Sequence, residues 1–225
     1  MKITCINTGF IDTWLDLHSR PLAAEKIRIE VPVPCYLVEH AGKTMLFDAG
    51  QKPLSKVQDP MAKYYIKVTE KETAVQRLAA MNIAVGDIDL IVISHAHSDH
   101  YAGLIDFPKA QVIVQQPADQ TLQRFGNQFT ALSGEYDIFG DGKAICLPTP
   151  GHSADHQSLL LTMDDGSRKL LLGDVVYLPQ ALDYEPTDAE YEENPDYYRS
   201  IRKVRALRDS GVEIIFGHDP YRVLQ

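Results

Sequence analysis

The stretch Leu90-Ile91-Val92-Ile93-Ser94 runs directly into His95-Ala96-His97-Ser98-Asp99-His100. Its apolar, β-branched first half has the composition of a buried strand. Its second half places three imidazoles and a carboxylate within six residues, which no packing or turn requirement explains. Imidazole nitrogen and carboxylate oxygen are the donors that zinc and similar divalent ions take in proteins. The stretch therefore predicts a metal site at the end of a strand.

Three later segments share one pattern, in which an apolar run is followed by a glycine and then by a metal-binding residue type. They end in Gly151-His152, Gly173-Asp174 and Gly217-His218. Glycine allows sharp turns and close backbone approach, and strand-end loops commonly carry reactive groups. We therefore expect these three side chains to join the first cluster.

The candidate ligands are five histidines and two aspartates: His95, His97, Asp99, His100, His152, Asp174 and His218. Two metals with four to five ligands each need about six or seven protein groups if one carboxylate bridges them. The set is therefore sufficient for two ions. A structural role is the expectation for His18, His40 and His156, although His156 lies four residues after His152 and is a candidate to support the site.

Composition excludes several function classes. Hydrophobic residues make up 44% of the 225 residues, which predicts a folded core. The net charge of −9 argues against nucleic-acid binding and disfavours phosphodiester substrates, because phosphate contacts need clustered Lys and Arg. The three cysteines form no Cys-x-x-Cys pair, and we expect all three to be buried and apolar in role.

The sequence shows no signal peptide and no apolar run of 18 residues. We therefore expect a cytoplasmic protein that does not interact with membranes. The assembly is left open, with a homodimer as one option.

The order of predicted elements indicates the fold class. Strands are predicted near 2–7, 33–39, 43–47, 90–94, 111–115, 144–147, 158–163, 169–172 and 213–216. Helices are predicted to begin near Thr69, Pro117 and Asn194-Pro195, from capping patterns and proline at the first turn. Strands followed by strand–helix alternation in both halves predict an α/β (α+β) chain with two sheets between helix layers.

These residues resemble the metallo-β-lactamase superfamily of metallohydrolases. The matching elements are Phe47-Asp48-Ala49-Gly50, His95-Ala96-His97-Ser98-Asp99-His100, Pro150-Gly151-His152, Gly173-Asp174 and Gly217-His218, in the family's order. The resemblance implies one domain over residues 1–225, a four-layer αβ/βα sandwich and two metals at its rim. It assigns His95, His97 and His152 to one metal and Asp99, His100 and His218 to the other. Asp174 is implied to bridge both, and Asp48 to support the ligands.

Within that superfamily the chain looks most like the N-acyl homoserine lactonases. The supporting segments are Val33-Pro34-Cys35-Tyr36-Leu37-Val38, Pro150-Gly151-His152-Ser153, His156-Gln157-Ser158-Leu159, Asp174-Val175-Val176-Tyr177 and Gly217-His218-Asp219. Tyr177 occupies the position where those lactonases carry a catalytic tyrosine. Ser98 differs from the pattern of those lactonases, because many of them carry a large apolar residue at the corresponding position, where it helps hold the acyl chain.

The function implied is hydrolysis of a lactone by metal-activated water, with Asp99 moving a proton and Tyr177 donating to the oxyanion. Zinc is the expected metal, with manganese, iron and cobalt as alternatives. A different lactone, a thioester or an aryl ester is the alternative substrate, and a metal-dependent sensor without turnover is the rival from another class.

Two segments have more than one interpretation. The acidic segment 182–196 is predicted to be a solvated loop, with a lid over the site as the alternative. The polar segment 51–68 contains Tyr64, Tyr65 and Ile66, which are interpreted either as a substrate wall or as core.

Overall fold

A computed structural model of the chain describes residues 1–15 and 27–220. One sheet contains seven strands in the order β4-β1-β2-β3-β5-β6-β7. Their bounds are β1 Lys2–Trp14, β2 Arg28–His40, β3 Lys43–Phe47, β4 Tyr64–Lys67, β5 Leu90–Val92, β6 Gln111–Gln115 and β7 Phe129–Leu132. Strands β4, β1, β2 and β3 pair antiparallel, whereas β3, β5, β6 and β7 pair parallel.

The second sheet contains five strands in the order β12-β11-β10-β9-β8. Their bounds are β8 Tyr136–Asp137, β9 Ala144–Pro148, β10 Gln157–Thr162, β11 Arg168–Leu171 and β12 Glu213–Ile215. All pairs are antiparallel except β11 with β12. The α-helices are α1 Ala74–Ala80, α2 Ser98–Tyr101, α3 Pro179–Leu182, α4 Asp188–Glu193 and α5 Pro195–Asp209.

Three apolar layers hold the elements together. Inward-facing residues of the two sheets, such as Phe47 and Leu159, form the central core. Residues of α1 pack with the opposite face of the first sheet, where Leu78 belongs to the same cluster as Leu46. Residues of α5 cover the outer face of the second sheet, where Val204 packs with Leu170. This is the αβ/βα sandwich that the sequence predicts.

The element boundaries differ from the prediction in several places. Strands β1 and β2 are each 13 residues long, because their pairing continues beyond a register shift between Asn7 and Phe10, where β4 pairs with the other side of β1. The short strands β4, β7 and β8 were not predicted. The helix predicted from Pro117 is wrong, since a 3-10 turn begins at Gln120 after an Asp119 cap. At Thr69 the capping pattern precedes a 3-10 turn, and α1 begins at Ala74.

The prediction for the cysteines is partly wrong. Cys35 and Cys146 are buried, whereas Cys5 is exposed. Cys5 lies near the start of β1, where residues 2–5 all stay outside the buried core. His18 lies outside the described residues. Within the described ranges, no helix is long and apolar enough to cross a membrane.

Candidate metal centre

Four strand ends of the two sheets meet at one edge of the sandwich. The loop after β5 leads through Ser94 into His95–His100, and the short helix α2 carries Asp99 and His100. The loop after β9 carries His152, the loop after β11 carries Asp174, and the loop after β12 carries His218. The structure thus brings all seven predicted ligands together, in two groups of donor atoms that each lie within 4.8 Å of one another.

The first group contains His95, His97 and His152. Nε2 of His152 lies 3.1 Å from Nε2 of His95 and 2.9 Å from Nδ1 of His97, and those two atoms are 2.9 Å apart. Each ring nitrogen carries at most one hydrogen, so three such atoms in a triangle cannot all satisfy one another. Nitrogens on one tetrahedral zinc are about 3.3 Å apart at zinc–nitrogen distances of 2.0–2.1 Å. The triangle is therefore close to what one such ion requires.

The second group contains Asp99, His100 and His218, and Asp174 lies between the groups. Oδ2 of Asp174 is 3.7 Å from Nε2 of His95 and 3.6 Å from Nε2 of His152. Its other oxygen, Oδ1, is 3.2 Å from Nε2 of His100 and 3.3 Å from Nε2 of His218. Asp174 thus directs one carboxylate oxygen toward each group, which is the arrangement of a bridging ligand.

Two buried atoms of this cluster make no hydrogen bond within the described residues, namely Nε2 of His100 and Oδ1 of Asp174. Leaving a buried polar atom unsatisfied costs roughly 1–3 kcal/mol. A cation that accepts lone pairs from both atoms removes this cost, so the donor set fits divalent metal ions.

Hydrogen bonds fix the orientation of two candidate ligands. Asp48 is buried, and its Oδ2 lies 2.8 Å from Nδ1 of His100. The same carboxylate accepts hydrogen bonds from the backbone and hydroxyl of Ser94 at 2.7 and 2.9 Å. Nδ1 of His218 lies 2.7 Å from the carbonyl of Pro32. Since Nδ1–H donates in both rings, each Nε2 is directed toward the cluster.

Burial and neighbouring charges shift the pKa values of the candidate ligands. Burial lowers the pKa of His152 to about 4 and, together with the charge on His100, lowers the pKa of His95 well below its ordinary value. Burial alone would raise the pKa of Asp174, but His100 and His218 outweigh it and hold that pKa well below its usual range. At neutral pH His95 and His152 are therefore neutral and the carboxylate is ionised, which are the forms that ligate metals. At His100 and His218 burial alone would lower the pKa of each ring, but the charge of Asp174 outweighs it and raises that pKa, so an ion that binds these two nitrogens displaces a proton from each.

A cavity of about 270 Å³ opens over this cluster. Oη of Tyr177 is 3.0 Å from Nδ1 of His152. Burial, reinforced by the negative charge of Asp174, raises the pKa of Tyr177 well above its ordinary value, so the hydroxyl stays protonated at neutral pH. The lining residues are Ile11, Val31, Tyr64, Ile66, His97, Ser98, Asp99, His152, Asp174, Tyr177 and His218. Tyr64 and Ile66 thus form a wall, as one interpretation of segment 51–68 expects, whereas Tyr65 does not line the cavity.

The acidic segment 182–196 does not line the cavity. The loop prediction is wrong in part, because residues 188–193 form α4, which begins with a Thr187–Glu190 capping box. Asp183 pairs with Arg208 at 2.6 Å, Glu185 pairs with Arg205, and Asp196 pairs with Arg199 at 2.5 Å, so three of the acids bind arginines of α5. These pairs hold the segment against α5, and the lid stays a prediction.

The N-terminal end of α5 holds the loop that carries His152. Nδ2 of Asn194 donates to the carbonyl of Gly151 at 2.9 Å, while its Oδ1 accepts from the backbone of Tyr197 and caps the helix. Gly151 has φ +132°, and a Cβ there would lie 2.2 Å from Cα of Tyr197. Only glycine fits this contact. Sequence reasoning identified Asn194 as a helix cap but had no signal for its bond to the ligand loop.

His156 is the other residue whose position the sequence did not settle. It is fully buried beside the cluster, and its Nε2 accepts a hydrogen bond of 2.9 Å from the backbone N–H of Asp174. Burial lowers the pKa of His156 to about 3, so the ring is neutral. Its spacing from His152 was the only sequence signal for this contact.

Comparisons with known proteins identify relatives over most of the chain. A family model for the metallo-beta-lactamase superfamily matches residues 28–218. An N-acyl homoserine lactonase, AttM, of Azorhizobium caulinodans is 27% identical, covering 85% of this chain and 83% of the relative. An N-acyl homoserine lactonase of Bacillus cereus is 28% identical, covering 85% and 82%.

A solved structure shows the same fold. The structure of an N-acyl homoserine lactone hydrolase with the product N-hexanoyl-L-homoserine at its catalytic metal centre gives a TM-score of 0.81 at 23% identity. The similarity covers 98% of this chain and 94% of that one.

Proposed function

Because this chain belongs to the metallo-β-lactamase superfamily and is a hydrolase, we propose that it opens a lactone ring, specifically that of an N-acyl homoserine lactone. The observation that carries the proposal is the Tyr177 hydroxyl, which faces the same cavity as both groups of candidate ligands. The names of the relatives AttM and the Bacillus cereus lactonase support the same substrate class.

The proposed centre holds two ions, most simply zinc. His95, His97 and His152 would hold one ion, Asp99, His100 and His218 would hold the other, and Asp174 lies between the two groups. When bound, such ions supply Lewis acidity and lower the pKa of water toward neutrality. Residues 1–225 are proposed to act as one hydrolase domain.

Tyr177 is the proposed donor to the carbonyl oxygen of the substrate. With Nε2 of His152 facing the cluster, its Nδ1–H donates to Oη of Tyr177. Tyr177 accepts in that bond, so its own O–H hydrogen points away from His152. A preorganised donor at a developing oxyanion is worth about 2.7–4 kcal/mol.

Asp99 is the proposed proton carrier. It lines the cavity, and its Oδ2 lies 3.6 Å from Nε2 of His100 and of His218. A carboxylate at this place can take a proton from the nucleophile and return it to the alkoxide that leaves the ring.

The shape of the cavity suits an amphipathic substrate. The candidate ligands and Tyr177 form its polar floor, while Ile11, Val31 and Ile66 form an apolar wall. In this arrangement the ester of the lactone ring lies against the candidate ligands and Tyr177, and the acyl chain lies against the apolar wall. Ser98 is small and exposed at the rim, which leaves room there for chains of more than one length.

The test is ring opening, followed as proton release in weak buffer, with bound metal measured on the same batch. The panel contains acyl homoserine lactones of short and long chain, γ-butyrolactone, an aryl ester and an S-acyl thioester. We expect fast opening of the acyl homoserine lactones, loss of activity with a chelator and recovery with zinc. Turnover of the thioester or aryl ester alone would overturn the lactone assignment, and metal binding without turnover of any member would favour a sensor.

A further inference from the structure

We propose that His156 is a positioning residue that holds Asp174 between the two groups of ligands, through its Nδ1-protonated tautomer. The inference rests on the proposed metal centre and concerns a residue outside its ligand set. It is carried by one uninterrupted chain of hydrogen bonds that begins at the backbone of Asp174 and ends at the backbone of Leu172.

The direction of every bond in this chain is determined by its two ends. The N–H of Asp174 can only donate, so Nε2 of His156 accepts it at 2.9 Å. The hydrogen of the ring is then on Nδ1, which donates to Oγ1 of Thr149 at 2.9 Å. At the other end, the carbonyl of Leu172 can only accept, and the hydroxyl of Ser158 donates to it at 2.8 Å.

The direction of the hydrogen bond between Thr149 and Ser158 follows from these assignments. The Thr149 and Ser158 hydroxyl oxygens are 2.9 Å apart, and the Ser158 hydrogen is already used on Leu172. The Thr149 hydrogen therefore donates to Ser158. All three side chains are buried, and every polar hydrogen in the chain has an acceptor, so the network is complete. No other tautomer of His156 satisfies both ends.

This chain connects the strand ends that carry two of the proposed ligands. Thr149 follows β9 and precedes His152, while Leu172 follows β11 and precedes Asp174. Gly173 has φ +62°, and a Cβ there would lie 2.8 Å from Nε2 of His156. The ring thus fits directly against the turn that aims the bridging carboxylate. Outer partners of metal ligands typically change metal affinity 10- to 100-fold when they are replaced.

The first experiment measures zinc affinity by competition with a chromophoric chelator for the wild type, His156→Leu and His156→Gln. Leucine removes the acceptor, whereas the glutamine amide oxygen can accept from Asp174. We expect His156→Leu to weaken zinc binding about 10- to 100-fold, and His156→Gln to restore most of it. His40→Leu, at a partly buried histidine of β2 that pairs with Asp141, is the matched control and should leave the affinity unchanged.

A purely structural role predicts a different result. In that case His156→Leu lowers the melting temperature of the metal-free protein while zinc affinity stays within twofold of the wild type, and this outcome would overturn the proposal. So would equal weakening in the Leu and Gln variants. The visible spectrum of the cobalt-substituted protein gives an independent readout, because a displaced Asp174 changes the ligand field.

The second experiment needs no variant that might misfold. Long-range ¹H–¹⁵N correlation spectra of the zinc-loaded wild type report the tautomer of each histidine. We expect His156 to carry its hydrogen on Nδ1, and a hydrogen on Nε2 would contradict the network. Neither experiment uses a substrate, so failure of the lactone assignment and failure of this inference are distinguishable.

Discussion

The Tyr177 hydroxyl lies 3.0 Å from Nδ1 of His152, on the side of the ring away from the nitrogen that faces His95 and His97. One imidazole therefore connects a proposed metal position to a proposed proton donor. The tyrosine contacts Nδ1 of His152, whereas Nε2 of the same ring faces the proposed metal position. Substitution of Tyr177 can therefore test proton donation without removing a metal ligand.

Replacing Tyr177 with phenylalanine should leave metal content unchanged and lower kcat by about 10²–10³, the cost of one lost oxyanion donor. The ring remains to fill the space, and His152 keeps Nε2 for the metal. Metal analysis and steady-state kinetics on the same preparation check this. Tyr136→Phe, at an exposed tyrosine of β8, is the control. A Tyr177→Phe enzyme with the rate of the wild type would eliminate the donor role.

Replacing Asp174 with alanine should abolish bound metal and activity together. Its two oxygens face different groups of ligands, so no other side chain can substitute for it. Metal content after dialysis, beside the rate of ring opening, measures both effects. Asp183→Ala removes an exposed carboxylate that pairs with Arg208 and should retain both. Full activity in Asp174→Ala would refute the centre with two metals.

Asn194 offers a test of how α5 holds the His152 loop. Alanine removes both the helix cap and the bond to Gly151, so the free energy of unfolding should fall by about 1 kcal/mol. Aspartate keeps the cap acceptor but cannot donate to the Gly151 carbonyl. We expect Asn194→Asp to retain more stability than Asn194→Ala and yet lose about fivefold in kcat, equivalent to one hydrogen bond of about 1 kcal/mol.

Chemical denaturation and kinetics on the two Asn194 variants separate these effects. If Asn194→Asp kept the full rate, the Gly151 bond would be irrelevant to the site and Asn194 would be a cap alone.

The cysteines test the arrangement of the sheets. Cys5 is exposed, and burial raises the pKa of Cys146 to about 12 and that of Cys35 well above its ordinary value. A thiol reagent at pH 8 should therefore label one cysteine in the native protein and all three in denaturant. Mass spectrometry of the labelled peptides identifies the site. Rapid native labelling of Cys146 would contradict the packing of the central core.

The sequence predicts most of the site because each ligand follows a strand and a short turn. His95, His152, Asp174 and His218 come at such positions, where local pattern and tertiary position coincide. The contacts that hold these ligands in place could not be predicted from the sequence. His156 contacts the Asp174 backbone only because β9, β10 and β11 are adjacent, and periodicity within one segment carries no information about that.

The boundaries of some strands were also beyond prediction, because they depend on partners that lie elsewhere in the sequence. Strand β4 is four residues long at the edge of the first sheet, and its pairing with β1 begins at Phe10 opposite Lys67. Four residues are too few for a periodic pattern, so the strand exists because a partner lies beside it. The full length of β1 and β2 likewise depends on their pairing with each other and, for β1, with β4.

The proposed ligands come from both sheets: four follow β5 in the first, and three follow β9, β11 and β12 in the second. Ions bound there join the two halves of the sandwich across their common rim. The concentration of free metal then enters the folding equilibrium itself, and a level 1,000 times the dissociation constant contributes about 4 kcal/mol per site. A cell short of the ion would lose folded protein together with activity, so metal supply would set the abundance of this hydrolase as well as its rate.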